Sequence, residues 1–238
     1  MKKISVSLLV FNEKHNLEKT ISSTYKALEK LHLHFELWIF DNNSNDGTAE
    51  LVNGLLQKYK NLKYYKHEKN LGYAVNFQKA LKLPDADYKF IVDGDGQYDL
   101  EDAEKCINIL DEGYDILIGI RKPRKDSMIR IFMSFILRLL SKIILNSNLK
   151  DINVGFRCMS KEAANRINLK YKYNFAGPEV FALAVINKLK ITEKIINHHP
   201  RVGGRSELSG IKNLTYNSLL MIKHMFDLKN DIKKFQIR

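Results

Sequence analysis

Apolar, β-branched runs of five to eight residues alternate along the chain with longer stretches whose apolar positions recur every three to four residues. Residues 4–11, 35–40, 62–66, 88–92 and 115–120 predict strands, and 14–31, 48–59, 74–83 and 100–110 predict the helices between them. Asn12 stands where it would cap the first helix, and Asp46 where it would cap the second. Such alternation predicts an α/β fold of βαβ units, with a Rossmann-like, mostly parallel sheet and right-handed crossovers. Beyond residue 120 the pattern loosens. Residues 128–146 and 179–188 predict helices, 155–160 and 191–197 strands, and Val202-Gly203-Gly204 a turn leading into a basic helix over 211–234. No repeat, low-complexity segment or linker interrupts the chain. It reads as one domain over 1–238, with a nucleotide-binding half (1–120) and an acceptor half (121–238).

In open sheets of this kind, ligands bind outside the carboxyl ends of the strands. Three polar clusters fall there: Asn12-Glu13, Asp41 to Asp46, and Asp93 to Gln97. The last follows an apolar strand and reads Asp93-Gly94-Asp95-Gly96-Gln97. In extended backbone, alternate residues project to one side about 6.6 Å apart. Two carboxylates so placed repel unless a cation joins them, and hard oxygen donors suit Mg²⁺ or Mn²⁺ completed by phosphate and water. The glycines would let a diphosphate approach the backbone closely. An isolated Asp-x-Asp fits an ordinary turn equally well; the preceding strand and the neighbouring polar strand ends favour the metal site.

Composition narrows the partners. A formal charge of +12 calls for an anion, whether nucleic acid, acidic lipid or nucleotide diphosphate. Cys106 and Cys158 belong to no metal or redox pattern and read as reduced thiols, which points to the cytoplasm. The N-terminal segment lacks a signal-peptide core, and no stretch of about 18 uncharged apolar residues predicts a membrane span.

Several segments, in order, resemble glycosyltransferase family 2 of the GT-A fold, within it the dolichol- or polyprenyl-phosphate sugar synthase branch. Leu8-Leu9-Val10-Phe11-Asn12-Glu13 is similar to the family's strand ending in Tyr-Asn-Glu. Asp41-Asn42-Asn43-Ser44-Asn45-Asp46-Gly47-Thr48 resembles Asp-Asp-x-Ser-x-Asp-Gly-Thr, with Asn42 replacing the second aspartate. Asn70-Leu71-Gly72-Tyr73-Ala74, Asp93 to Gln97, Ile118-Gly119-Ile120-Arg121, Arg130 with Ser134, Asp151 with Gly155-Phe156-Arg157, and Arg201, Gly204 and Ser206 continue the likeness over about 210 residues.

The resemblance implies a nucleotide-sugar donor held by Val10, Asn12, Glu13, Asp41, Asn43, Asp46, Gly72, Asp93 and Gly94. It implies a divalent metal, Mg²⁺ or Mn²⁺, on Asp95 with Gln97 as second ligand. Arg121, Arg130, Ser134, Arg201 and Ser206 would receive the acceptor phosphate, since guanidinium forks match phosphate oxygens. Asp93, Asp95, Asp151, Arg130 and Arg201 form the implied catalytic set. Inversion at the sugar follows from the resemblance too. A polyprenyl phosphate acceptor is already anionic and needs no general base; a saccharide hydroxyl needs one, and Asp151 is the candidate.

Helix 128–146 carries Arg130, Ser134, Arg138, Ser141 and Lys142 mostly four apart on one narrow face, the rest being almost wholly apolar. It suits the core, or the inner surface of an anionic membrane, where it would present Arg130 to a lipid phosphate. The C-terminal helix offers a second membrane-surface element or a homo-oligomer contact. Two other classes compete. A nucleotidyltransferase would want a glycine-rich phosphate loop where Asn12-Glu13-Lys14-His15 stands. A non-catalytic nucleic-acid-binding module would want basic residues interleaved with exposed aromatics, whereas here they are scattered. Nucleic acid is therefore not the expected partner.

Overall fold

The protein is described by a computed structural model covering residues 2–171, 176–203 and 211–236. The expected alternation builds β1 (Lys3–Val10), α1 (Lys14–Glu29), β2 (His34–Asp41), α2 (Thr48–Leu56), β3 (Leu62–Lys66), α3 (Tyr73–Lys82), β4 (Tyr88–Asp93), α4 (Ala103–Asp111) and β5 (Ile116–Arg121). There follow α5 (Met128–Leu145), β6 (Phe156–Ser160), α6 (Lys161–Arg166), α7 (Gly177–Ile186), β7 (Ile191–Ile196) and α8 (Ile211–Gln236). Helix α6 is an addition to the expected elements; its start is capped by Ser160, whose side chain accepts from Ala163 N.

One seven-stranded sheet runs in the order β3-β2-β1-β4-β6-β5-β7. Strand β6 pairs antiparallel with both neighbours, while the other pairings are parallel. Seven of the eight β1 residues are buried, because helices cover both faces of the central strands. The order in which strands are added reverses at β1: β2 lies on one side and β4 on the other. The crevice at that switch point gathers the ends of β1, β2 and β4, hence Val10, Asp41 and Asp93. Both cysteines are free and buried, as expected, and burial pushes the Cys106 thiol up to about 12.

Helix α5 is turned opposite to an ordinary amphipathic helix. Its buried residues are Ser141, Ile144 and Leu145, and Arg130 and Ser134 face partly inward. Met128, Phe132, Phe135, Leu139 and Ile143, spaced four, three, four and four apart, form an outward apolar stripe from 49% to 79% exposed. The last turn joins the core, and before it Leu137 and Leu140 pack partly against the core. Helix α8, packed beside α5, adds Tyr216, Leu219, Phe226 and Phe235 to the exposed apolar residues. No described helix is long and apolar enough to cross a membrane.

Candidate active site

Strand β4 delivers the carboxylate loop into the crevice. Gly94 N donates to Leu9 O at 2.8 Å, pinning the loop against β1. A Cβ on Gly94 would stand 2.6 Å from Val10 Cγ2, so only glycine allows this approach. Val10 is buried and serves as that packing surface, without exposing its side chain to a ligand. Asp93 Oδ1 accepts from the Tyr73 hydroxyl at 2.9 Å, and Asp95 Oδ1 from Gln97 N at 3.1 Å.

Burial raises both carboxyls above the usual range. For Asp95 the neighbouring Asp93 adds to the effect and Arg201 opposes it, leaving the group at about 7. Burial likewise raises Glu13, against the pull of Arg201. Three under-compensated carboxylates around one crevice are a hard-oxygen donor set that a divalent cation would relieve, so the residues fit the expected metal. Among the described residues, no group of three His, Cys, Asp or Glu is arranged to hold an ion alone. Diphosphate and water would have to complete its coordination.

Arg201 links the cluster. Its guanidinium pairs with Glu13 and reaches Asp95 Oδ2 at 3.3 Å, while Nε donates to Gly203 O at 3.0 Å. Expected as an acceptor clamp, it is engaged in the ligand-free fold by Glu13 and Asp95. The segment that carries it is fastened by Gln97, whose side-chain Nε2 donates to His199 O at 3.2 Å and whose main-chain carbonyl accepts from His199 N at 2.8 Å. Gln97 thus clips two loops together, while its side-chain oxygen, the atom a metal would take, is not used in these bonds.

The loop after β2 is built from its own polar side chains. Asp41 is fully buried; it accepts from Ser44 N and Oγ at 2.8 and 2.6 Å and from the Tyr64 hydroxyl at 2.7 Å. It therefore shapes the loop and presents no surface to a base, a correction to the direct contact expected. Asn12, with φ of 56°, does not cap α1: its N–H donates to Ser44 Oγ and its Oδ1 accepts from Asn45 N. Asn43 also has a left-handed backbone. Asn42 Oδ1 accepts from Leu71 N and its amide donates to Asn70, while Asn70 Oδ1 accepts from Gly72 N, so the aspartate-to-asparagine departure ties this loop to the start of α3.

Asp46 joins two helix starts, accepting from Lys14 N at 3.1 Å and from Thr48 N and Oγ1 at 3.0 and 2.5 Å. Burial opposes the anion, but these bonds prevail and hold the carboxyl below its ordinary value. Asp46→Ala should cost roughly 2 kcal/mol at pH 7, about 1 for each cap. Because the folded carboxyl is depressed, that stability is lost as pH falls, so the gap in urea midpoint between wild type and variant should close below about pH 4.

On the acceptor side, Arg121 Nε and Nη2 donate to both oxygens of Asp151, at 2.7 and 2.8 Å, and Nη1 reaches Asp126 at 3.3 Å. Asp126, almost wholly buried, also pairs with Arg124 at 2.8 Å and lies 3.8 Å from Arg130. Arg124 Nη2 donates to Ser134 Oγ at 3.1 Å. Three guanidiniums converge on one aspartate at the start of α5. The bidentate grip engages both oxygens of Asp151, the residue expected to act as a base on a saccharide acceptor. Ser206, with Gly204, lies outside the described residues.

Sequence reasoning missed Arg124 and Asp126, though their placement just before Arg130 was a usable signal. It also passed over Asn16, which donates to Glu13 at 3.0 Å from one turn later, and Tyr73, quoted only as part of a motif. His198 carries no motif: it is buried, accepts from Lys125 N on Nδ1 and stands 5.5 Å from the Tyr98 ring, and burial lowers it to about 4.

Known proteins resemble this chain over most of its length. The chain is 25% identical, over 96% of its length and 67% of the relative's, to the undecaprenyl-phosphate 4-deoxy-4-formamido-L-arabinose transferase of Salmonella choleraesuis (strain SC-B67); the enzyme of that name from Salmonella newport (strain SL254) matches equally. Its fold superimposes with a TM-score of 0.72 on glucosyl-3-phosphoglycerate synthase from Mycobacterium tuberculosis, solved with Mn²⁺, uridine diphosphate and phosphoglyceric acid. That match covers 96% of this chain and 78% of the other at 16% identity, and it establishes the GT-A arrangement of the sheet. Residues 5–167 match the glycosyl transferase family 2 profile, which sets aside the nucleotidyltransferase and nucleic-acid readings: the chain belongs to glycosyltransferase family 2 and is a glycosyltransferase.

Proposed function

We propose that the protein transfers a sugar, with inversion, from a nucleotide-sugar donor to a polyprenyl phosphate at the surface of an anionic membrane. The observation that carries this reading is the position of the Arg121, Arg124 and Arg130 cluster. It lies at the start of a helix whose apolar stripe faces outward, so a phosphate could enter the cluster while its hydrocarbon chain stays with the stripe. The relatives' printed substrate, undecaprenyl phosphate, supports it, as does the engagement of Asp151.

The donor occupies the crevice lined by Glu13, the β2–α2 loop and the Asp93–Gln97 loop. Asp95, with Asp93 beside it, would hold Mg²⁺ or Mn²⁺, which supplies Lewis-acid neutralisation of the leaving diphosphate. Arg201 contributes further positive charge there once Glu13 and Asp95 release it to the phosphates. The acceptor's phosphate oxygen, already anionic, attacks the anomeric carbon in line, and the bond to the nucleoside diphosphate breaks. Arg121, Arg124, Arg130 and Ser134 hold the acceptor phosphate. No proton needs to be removed from the nucleophile. The enzyme works as a peripheral protein on the cytoplasmic face.

A transfer screen tests this: UDP-, GDP-, TDP- and CMP-sugars with Mn²⁺ or Mg²⁺, with and without a short polyprenyl phosphate. Release of one nucleotide, stimulated by the lipid, is the expected result. Stimulation by saccharides alone would sink the lipid-phosphate reading and leave the transferase.

A further inference from the structure

Arg157 is the largest fully buried side chain among the described residues, at 1% exposure. Its Nη2 donates to Ile152 O at 3.3 Å, while Nε and Nη1 find no hydrogen-bond partner among the described residues. A buried cation so sparsely bonded is costly, and an apolar residue of the same size is the cheaper occupant of such a place. Something near it must favour the charge.

The β4–β6 register shows what. Ile91 stands opposite Arg157 and Val92 opposite Phe156, which brings Asp93 opposite Gly155; Asp93 N donates to Gly155 O at 2.8 Å. Asp93 and Arg157 are thus diagonal neighbours on one face of the sheet, a spacing of about 7–8 Å over which their charges act on each other without a direct ion pair. A Cβ at residue 155 would stand 1.9 Å from Asp93 Oδ2, so the carboxylate lies across β6 in the space that glycine leaves. Helix α3 covers both groups from above. Tyr73 donates to Asp93, and Phe77, four residues on, lies 5.5 Å beneath the Arg157 guanidinium. Of the charges around Asp93, that of Arg157 acts most strongly, ahead of Arg121 and Arg201.

We infer that Arg157 is a positioning residue: a buried counter-charge that, with the clearance at Gly155 and the Tyr73 hydroxyl, holds the Asp93 carboxylate in place for the donor. The Gly155-Phe156-Arg157 run thereby has a physical reason. Glycine makes room for the carboxylate, Phe156 packs on Phe90 and Tyr98, and arginine balances the charge.

The inference rests on the proposed donor site, so its test has two parts that fail separately. The first is a melting cycle of ligand-free wild type, Arg157→Met, Asp93→Asn and the double variant. Arg157→Met should melt lower than wild type, and adding Asp93→Asn should restore the melting temperature to wild type or above, because no charge is then left unpaired. A packing role predicts the same loss in both backgrounds; additive effects overturn the inference, as does a double variant that cannot fold where Asp93→Asn alone folds. The second part is calorimetric binding of UDP with Mn²⁺. It should weaken at least about tenfold in Arg157→Met and return to within about threefold in Arg157→Lys. Wild-type affinity in Arg157→Met overturns the inference. If wild type binds none of the nucleotides tried, the donor reading falls while the melting cycle still decides whether Arg157 serves Asp93.

Discussion

Asp95→Asn should make the metal-free protein more stable at pH 8 while lowering transfer by at least about a hundredfold. Both effects come from one buried carboxylate. Asp95 titrates at about 7 in the folded protein, first because it is buried and second because Asp93 is close. An unfolded aspartate titrates near pH 3.9. Between those values the folded state keeps a proton that the unfolded chain has released, so stability declines as pH rises through the window and is level above it. The ceiling on that loss is about 4 kcal/mol, from roughly three pH units at 1.36 kcal/mol each. Asparagine carries no charge, so its advantage in urea or thermal melts should open between pH 4 and 7 and reach about 1–3 kcal/mol at pH 8. The same carboxylate must be ionised to bind a metal, so Mn²⁺ affinity of the wild type should climb about tenfold per unit up to pH 7 and flatten beyond. More than a tenth of wild-type turnover in Asp95→Asn would show that the ion sits elsewhere. A variant less stable than wild type at pH 8 would show that Arg201 over-compensates the cluster.

What the sequence disclosed about this site follows the range over which each interaction acts. The parallel half was legible because burial on both faces and short crossovers write themselves as alternation; β3 falls on the expected residues and β1 within one residue at either end. The Asp93–Gln97 loop was legible because its two carboxylates lie close in sequence at the end of an apolar strand. The setting of Asp151 was not: its pair with Arg121 joins residues 30 apart, and no local pattern announces a bidentate partner. The pairing of Arg201 with Glu13 was illegible for the same reason, the two being 188 residues apart. Arg157 was visible only as the end of a quoted motif, and one arginine among 39 basic residues draws no role until the fold buries it. Asn12 stood at a capping position, but a φ of 56° turns its side chain to the neighbouring loop.

Helix α5 is the instructive intermediate case. Periodicity placed its polar residues on one stripe and left open which stripe meets water. The fold answers that Arg130 and Ser134 turn toward the Arg124–Asp126 cluster, which leaves the aromatic side out.

Phe132→Ser with Phe135→Ser should therefore abolish vesicle binding without harming the fold. The two rings are 61% and 51% exposed, and neither contributes to the core, so serine removes apolar surface from water at no packing cost. Burying a phenylalanine in the acyl boundary contributes about 1.5–3 kcal/mol, and two together about 3–6, a factor of roughly 10²–10⁴ in partitioning. Cosedimentation with vesicles containing anionic lipid should accordingly fall at least about a hundredfold. Turnover of a long-chain polyprenyl phosphate embedded in those vesicles should fall with it, whereas a short, water-soluble polyprenyl phosphate should be used at the wild-type rate, because the guanidinium cluster is untouched. Raising the salt concentration should weaken the wild type's vesicle binding too, since Arg138 and Lys142 lie on the same helix and a charge of +12 favours an anionic surface. Unchanged sedimentation of the double variant would remove the stripe from any role at the membrane. If the wild type instead sediments as a dimer in solution and the two serines dissociate it, the stripe is a contact between copies of the chain, and the lipid would have to reach Arg130 by another route.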